Sequence, residues 1–224
     1  MSRSDAMPDE TQKLLILGAG WLIYGLLHSL HASLRCKTWV ARRLPRLFHA
    51  YRLFFNAFAL LSALPLIWLI VHSEGPLLIH WQGPWRWLAL AVTLCGLGGF
   101  LISLRAYDLA EFIGLRQWQE CSSGKPACIL DAGEFRIGFF NRYVRHPWYF
   151  FSLLVLWTQN MNAATLLSAI AITLYLAIGS RFEEHKLIAA YGETYRRYRA
   201  RVPGLWPLPG KYLTAAEAAE LVRR

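Results

Sequence analysis

The sequence predicts an all-α, polytopic integral membrane protein with about five membrane helices, and three observations carry that prediction. Residues 14–34, 51–72 and 85–104 are apolar runs that each approach the roughly 20 residues a spanning helix needs. Their apolar positions are spread around the helix and form no one-sided stripe. The chain is 55% hydrophobic and only 17% charged, a balance that a soluble domain of this length does not require.

Taken in order, residues 1–13 read as a disordered polar N-terminus and 14–104 as three membrane helices. The acidic leader and the missing small-residue cleavage site argue against a signal peptide. Pro65 should kink the second helix, and Cys95-Gly96-Leu97-Gly98-Gly99 should let another helix approach the third closely. Residues 105–210 read as a cytoplasmic loop, a membrane hairpin and a cofactor-binding C-terminal region. The hairpin occupies the 33 residues 147–179, too many for one span and too few for two, and Asn160-Met161-Asn162 suits its turn. Residues 211–224 read as a short peripheral helix, opened by a capping-box pattern at Thr214 and Glu217.

Charge sets the expected orientation. Of the 24 Lys and Arg, all but Arg3, Lys13 and Arg86 fall in segments 35–52, 105–145 and the tail after 180. Three spans and a hairpin put all of those segments on one side, which predicts a multi-pass inner or cell membrane protein with a cytoplasmic C-terminus and pocket. The formal charge of +10 follows from this orientation, and nucleic acid is excluded as a partner because the basic residues form no separate domain. Cys36, Cys95, Cys121 and Cys128 show no CxxC spacing and read as free thiols. His28 and His31, one helical turn apart, are read as lining a polar cavity or bonding across helices, and no metal is predicted.

Two stretches concentrate polar chemistry at the membrane edge. In "RYVRHPWYFF", 142–151, Pro147 fits the first turn of a helix, so the hairpin opens with free backbone N–H groups and a positive dipole end. With Arg145 and His146, these suit a carboxylate. In "RFEEHKLIAAYGETYRRYRARVPGLWP", 181–207, Glu183 and Glu184 are adjacent acids near the membrane edge, where unpaired charge is costly. Helical geometry turns them to different faces. One carboxylate is then available to a cationic ligand while its neighbour meets solvent or an arginine.

Together the two stretches resemble the isoprenylcysteine carboxyl methyltransferase-like superfamily of membrane methyltransferases. Its pattern is R-H-P-x-Y-x-G, then E-E-x-x-L-x-x-x-(F/Y)-G-x-x-Y-x-x-Y-x-x-x-V-P. The second motif is matched at every specified position and the first at all but its glycine, over about residues 135–207. "YDLAEFIGLRQWQE" (107–120), "FRIGFFNRYVRHP" (135–147), "HSLHASLRCK" (28–37) and "YRLFFN" (51–56) are similar to its methanethiol S-methyltransferase and NnrU-like branch. There are departures. Phe151 stands where the pattern has glycine, Asn141 where a tyrosine is usual, and Gly179 where carboxyl methyltransferases carry an arginine.

The resemblance implies an S-adenosylmethionine-dependent methyltransferase acting on a small or lipophilic acceptor, with a thiol favoured. The methionine end of that cofactor is a zwitterion that needs both an anion and a cation. The implied cofactor-binding residues are Arg145, His146, Pro147, Trp148, Tyr149, Glu183, Glu184, Tyr195 and Tyr198. Tyr149 with Tyr195 or Tyr198 would close over the adenosine. Asp108 and Arg181 are the implied catalytic residues, and His28, Gln117 and Trp118 the substrate-binding ones. Membrane lipids are expected neighbours. The alternatives are prenylcysteine carboxyl or phospholipid amine methylation, or a non-catalytic membrane carrier or assembly protein of the same fold. The missing arginine at position 179 weakens the carboxylate reading, since such a substrate wants a fixed cation.

Overall fold

The computed structural model describes residues 9–104, 109–122 and 135–223, and every described segment of regular structure is helical. The chain divides into two compact units. One comprises Met1–Gln82, Ile113–Ala127 and Gln159–Thr173, and the other Gly83–Phe112, Cys128–Thr158 and Leu174–Arg224.

The first unit is built on α1 (Glu10–Ala32) and α4 (Tyr51–Val71), which pack on each other, with α2 (Leu34–Arg43) and α3 (Pro45–Phe48) between them in sequence. Leu17, Leu66 and Ala164 form its buried core, walled by Trp21, Tyr24 and Leu167. The Trp21 indole N–H donates to Ser168 Oγ at 2.9 Å, the economical way to bury an indole nitrogen. α4 continues as a helix on both sides of Pro65. Short α7 (Leu115–Ser122) follows α6 (Leu109–Ile113), which bridges the sequence from the other unit.

In the second unit α5 (Pro84–Leu104) packs against α8 (Pro147–Trp157), and the glycines of α5 explain how. A Cβ on Gly99 would stand 2.2 to 2.6 Å from the Phe151 ring, and one on Gly96 would stand 2.9 Å from Val155. The helix approach expected of this glycine run is therefore present, with α8 as the partner. Thr93 and Thr158 hydroxyls meet at 2.7 Å along the same contact.

The hairpin forms with its turn at the Asn160–Asn162 break: α8 ends at Trp157 and α9 (Ala163–Arg201) begins after Asn162, whose Oδ1 caps the helix by accepting the Thr165 N–H at 3.0 Å. The arms are unequal. With 11 residues, α8 is about 16 Å long and half of what a bilayer core demands. Among the described residues four helices, α1, α4, α5 and α9, are long and apolar enough to cross a membrane, and α8 is a half-length fifth. Leu22, Leu26 and Val71 stay more than 70% exposed on such helices, which water would punish and lipid does not. The chain is a multi-pass membrane protein.

Gly192 interrupts α9 with φ 57° and ψ −128°, a conformation closed to residues with a side chain. Past it, Tyr195, Tyr198 and Val202 enter a core completed by Leu213 and Ala218. The C-terminal α10 (Ala215–Arg223) contributes Ala218 to that core. Its capping box is present. Glu217 Oε2 accepts from the Thr214 N–H and hydroxyl at 2.8 Å each, and these bonds, with the Arg201 guanidinium, bring the exposed Glu217 carboxyl down to about 2.

The glycine contact yields a sharp expectation. Gly99→Ala should lower stability by roughly 1–3 kcal/mol through overpacking, and adding Phe151→Ala should recover part of that loss. Thermal unfolding of the single and double variants in detergent measures both; equal and additive losses would refute the contact.

Candidate functional site

The site grows from the segment that precedes α8. A short 3₁₀ turn, Phe140–Arg142, delivers the chain to Arg145 and His146, and Pro147 then starts α8 at its first position, as its fixed φ and absent N–H favour. The Asn141 side-chain amide donates to the Arg145 carbonyl at 3.2 Å. The Arg145 N–H donates to the Pro203 carbonyl at 2.9 Å and the His146 N–H to the Gly204 carbonyl at 3.1 Å. Two segments nearly 60 residues apart in sequence are thereby held side by side.

Arg145 is the hub, with a side chain only 11% exposed. Its Nε and Nη2 donate to Glu184 Oε1 at 2.8 and 2.5 Å, and its Nη1 donates to the carbonyls of Arg199 and Val202. Those carbonyls belong to the end of α9, where backbone acceptors lack helical partners and the dipole favours a cation. One guanidinium therefore neutralises a buried acid and caps a helix. Arg199 adds its Nε at 3.7 Å from the second Glu184 oxygen. Gly204 leaves the necessary room, since a Cβ there would lie 3.2 Å from Arg145 Nη2.

His146 sits between the two acids. Its Nε2 lies 3.2 Å from Glu184 Oε1 and its Nδ1 lies 3.5 Å from Glu183 Oε2. The Tyr149 hydroxyl donates to the same Glu183 oxygen at 2.9 Å, and its ring lies parallel to the imidazole at 5.2 Å. Glu184 is buried, whereas the Glu183 side chain keeps 46% of its surface exposed. Burial alone would lower the His146 pKa, but hydrogen bonds and charge from Glu183 and Glu184 outweigh it and raise the imidazole to about 8.

The structure thus brings Arg145, His146, Tyr149, Glu183 and Glu184 into one constellation, with Glu184 meeting the arginine and Glu183 left accessible. Other sequence-derived candidates stand elsewhere. Pro147 is fully buried, and the Trp148 ring packs with Phe100 and Phe112 at 5.8 and 5.1 Å. Tyr195 and Tyr198 are core residues, 1% and 3% exposed, and the Tyr198 hydroxyl donates to the Asn141 carbonyl. Both rings are closed off from solvent, and Tyr198 braces the loop beneath Arg145. Arg181 is exposed on α9. His28 and Trp118 belong to the other unit, where the His28 ring packs on Phe55 at 4.7 Å. Asp108 and the Gln117 side chain lie outside the described residues.

Arg199 and the Pro203 and Gly204 carbonyls escape a reading of the sequence. Fifteen residues of straight helix would separate Arg199 from Glu184 by about 22 Å. Only the break at Gly192 turns the chain back far enough for a 3.7 Å contact. The reversal itself carries no signal in the sequence beyond one glycine.

Two measurements probe this arrangement. A histidine near 6.5 when unfolded and near 8 when folded adds stability that is complete below about pH 6.5 and disappears as pH rises through 8. The full effect is about 2 kcal/mol, and His146→Gln should flatten the melting-temperature profile across that window. Gly192→Ala, forced into a conformation that disfavours side chains, should cost about 1–3 kcal/mol and weaken the Arg199 contact. A Gly192→Ala melting curve superimposable on the parent's would show that the break is not required.

No protein-family model matches the chain, and no solved structure matches it. Curated proteins do. Methanethiol S-methyltransferase 2 of Bradyrhizobium diazoefficiens is 33% identical over 188 residues, covering 83% of this chain and 70% of that protein. The methanethiol S-methyltransferase of Mycobacterium tuberculosis is 30% identical, covering 89% and 78%. That of Crocosphaera subtropica is 29% identical, covering 88% and 76%. With likeness of this extent over 83–89% of its length, the chain is a methyltransferase and belongs to the methanethiol S-methyltransferase family.

Proposed function

We propose that this protein transfers a methyl group from S-adenosylmethionine to a small thiol of the methanethiol type, at a pocket on the cytoplasmic edge of the membrane. The observation that carries the proposal is the constellation itself: two acids and a set of cations meet where the last membrane hairpin begins, and one acid remains open. The donor set fits the methionine portion of the cofactor, which carries an ammonium and a carboxylate. Glu183, held by His146 and Tyr149 yet 46% exposed, offers the accessible anion. His146 and the amides that begin α8 offer the positive counterpart.

When bound, the cofactor supplies a sulfonium methyl that is already electrophilic. The protein's task is then alignment and exclusion of water. Tyr149 fixes the Glu183 carboxylate through its 2.9 Å hydrogen bond and stacks on His146. Arg145 is a positioning residue, because its donors are already committed to Glu184 and to the end of α9. A thiol acceptor with a pKa near 8.5 needs only modest help toward thiolate. Asp108 and Arg181 are assigned that help, and His28, Gln117 and Trp118 the acceptor side, from the sequence resemblance alone. The cytoplasmic placement rests on the one-sided distribution of Lys and Arg.

Isothermal titration of purified protein with S-adenosylmethionine, followed by transfer of labelled methyl to methanethiol, to phosphatidylethanolamine and to farnesylcysteine, tests the reading. Binding should weaken at least about tenfold in Glu183→Ala, a charge-assisted contact being worth about 1.5–3 kcal/mol. Tyr149→Phe should have a smaller effect in the same direction, and label should appear on the thiol. Tight binding by Glu183→Ala would remove that residue from the cofactor site, and label confined to the lipid amine or prenylcysteine would replace the acceptor.

A further inference from the structure

Between α1 and α4 lies a basic segment that the methyl-transfer reading does not use. α2 places Arg35, Trp39, Arg42 and Arg43 on one exposed side, and with Leu34 and Thr38 they line a single open groove. The spacing i, i+4, i+7, i+8 explains why one helix face gathers them. Beside that face, Cys36 Sγ receives the Tyr51 hydroxyl at 3.3 Å, which ties α2 to the start of α4. Among the described residues, Arg35, Arg42 and Arg43 form no ion pair. The sequence offers none nearby, because no acidic residue occurs between Glu10 and Glu74.

Position limits what neutralises these charges. α2 starts two residues after a membrane-length helix ends, and α4, another such helix, begins at Tyr51. The segment must therefore lie at headgroup level. The exposed apolar side chains of Trp39, Leu44 and Leu47 suit the boundary between headgroups and acyl chains, as an interfacial helix requires. Guanidinium pairs suit phosphate geometry better than ammonium groups do, and an indole between them suits the adjacent glycerol and acyl region.

We propose that the Arg35–Trp39–Arg42–Arg43 face of α2 is a binding site for the phosphate headgroup of an anionic membrane phospholipid. The site anchors the α1–α4 connection to one leaflet and makes the protein's stability depend on the lipid around it. The occupant is a lipid and not a free anion because the groove joins three arginines to exposed apolar residues that a soluble phosphate would leave uncovered.

Full-length protein in a zwitterionic detergent is titrated with phosphatidylglycerol and, separately, with phosphatidylcholine and with inorganic phosphate, and the thermal midpoint is read at each concentration. Phosphatidylglycerol should act at a concentration at least about tenfold lower than phosphatidylcholine, since each basic residue at an anionic surface contributes measurably. That preference should fall to within about twofold in R35Q/R42Q/R43Q, and to an intermediate value in the single variant R42Q, which serves if the triple variant does not fold. An undiminished preference in these variants overturns the site. So does a wild-type protein indifferent to headgroup charge, or one stabilised equally by inorganic phosphate.

Discussion

The second unit depends on the environment of one guanidinium. A nearly buried arginine is tolerable only when its charge and donors are answered. Glu184 in the body of α9 and the Arg199 and Val202 carbonyls at its end take the Arg145 guanidinium, while the Arg145 and His146 N–H groups pair with the Pro203 and Gly204 carbonyls. Remove the acid and a buried cation is stranded. Remove the helix end and two carbonyls lose their donor. The interaction is consequently a statement about chain path as much as about charge, because it requires α9 to return past Gly192.

The same economy of space governs the membrane part of that unit. Phe151 stands where the resembled pattern has glycine, and its ring is received by Gly99 of α5, with Phe140 edge-on at 4.9 Å. The large residue stands on α8 and the small one that receives it on α5. Asn141, the other departure, also has employment: its amide reaches the Arg145 carbonyl, and its own carbonyl receives the Tyr198 hydroxyl. Both substitutions are thus absorbed by the frame around the acid–base constellation, without touching Glu183.

Elements governed by composition or by local backbone chemistry were legible in the sequence. Apolar runs of bilayer length gave the long helices, Asn160–Asn162 gave the turn, Thr214 and Glu217 gave the cap, and adjacency on a helix gave the divergent environments of Glu183 and Glu184. What escaped was what requires knowing a long-range path. Tyr195 and Tyr198 recur at helical spacing whatever they face, and that spacing carries no sign of the Leu213 and Ala218 that share their core. Arg199 looked like one more basic residue in a basic tail. Counting along a straight α9 removes it from Glu184, and only the reversal at Gly192 brings it back.

The two adjacent glutamates show how one helix face can separate structure from chemistry. Glu184 has its oxygens engaged by Arg145, His146 and Arg199 and is buried, so it has little capacity left for a ligand. Glu183 shares His146 and holds a hydroxyl from Tyr149, yet nearly half its side-chain surface stays open. A carboxylate with only partial satisfaction at the edge of an apolar environment gains more from a cation than one in bulk water, because less solvent screens the pair. The imidazole between the acids, kept protonated past neutrality, prevents their mutual repulsion from splaying the site. Satisfying the first glutamate completely is what allows the second to be held in place while incompletely satisfied, and an incompletely satisfied, immobilised carboxylate is what an ammonium-bearing ligand requires.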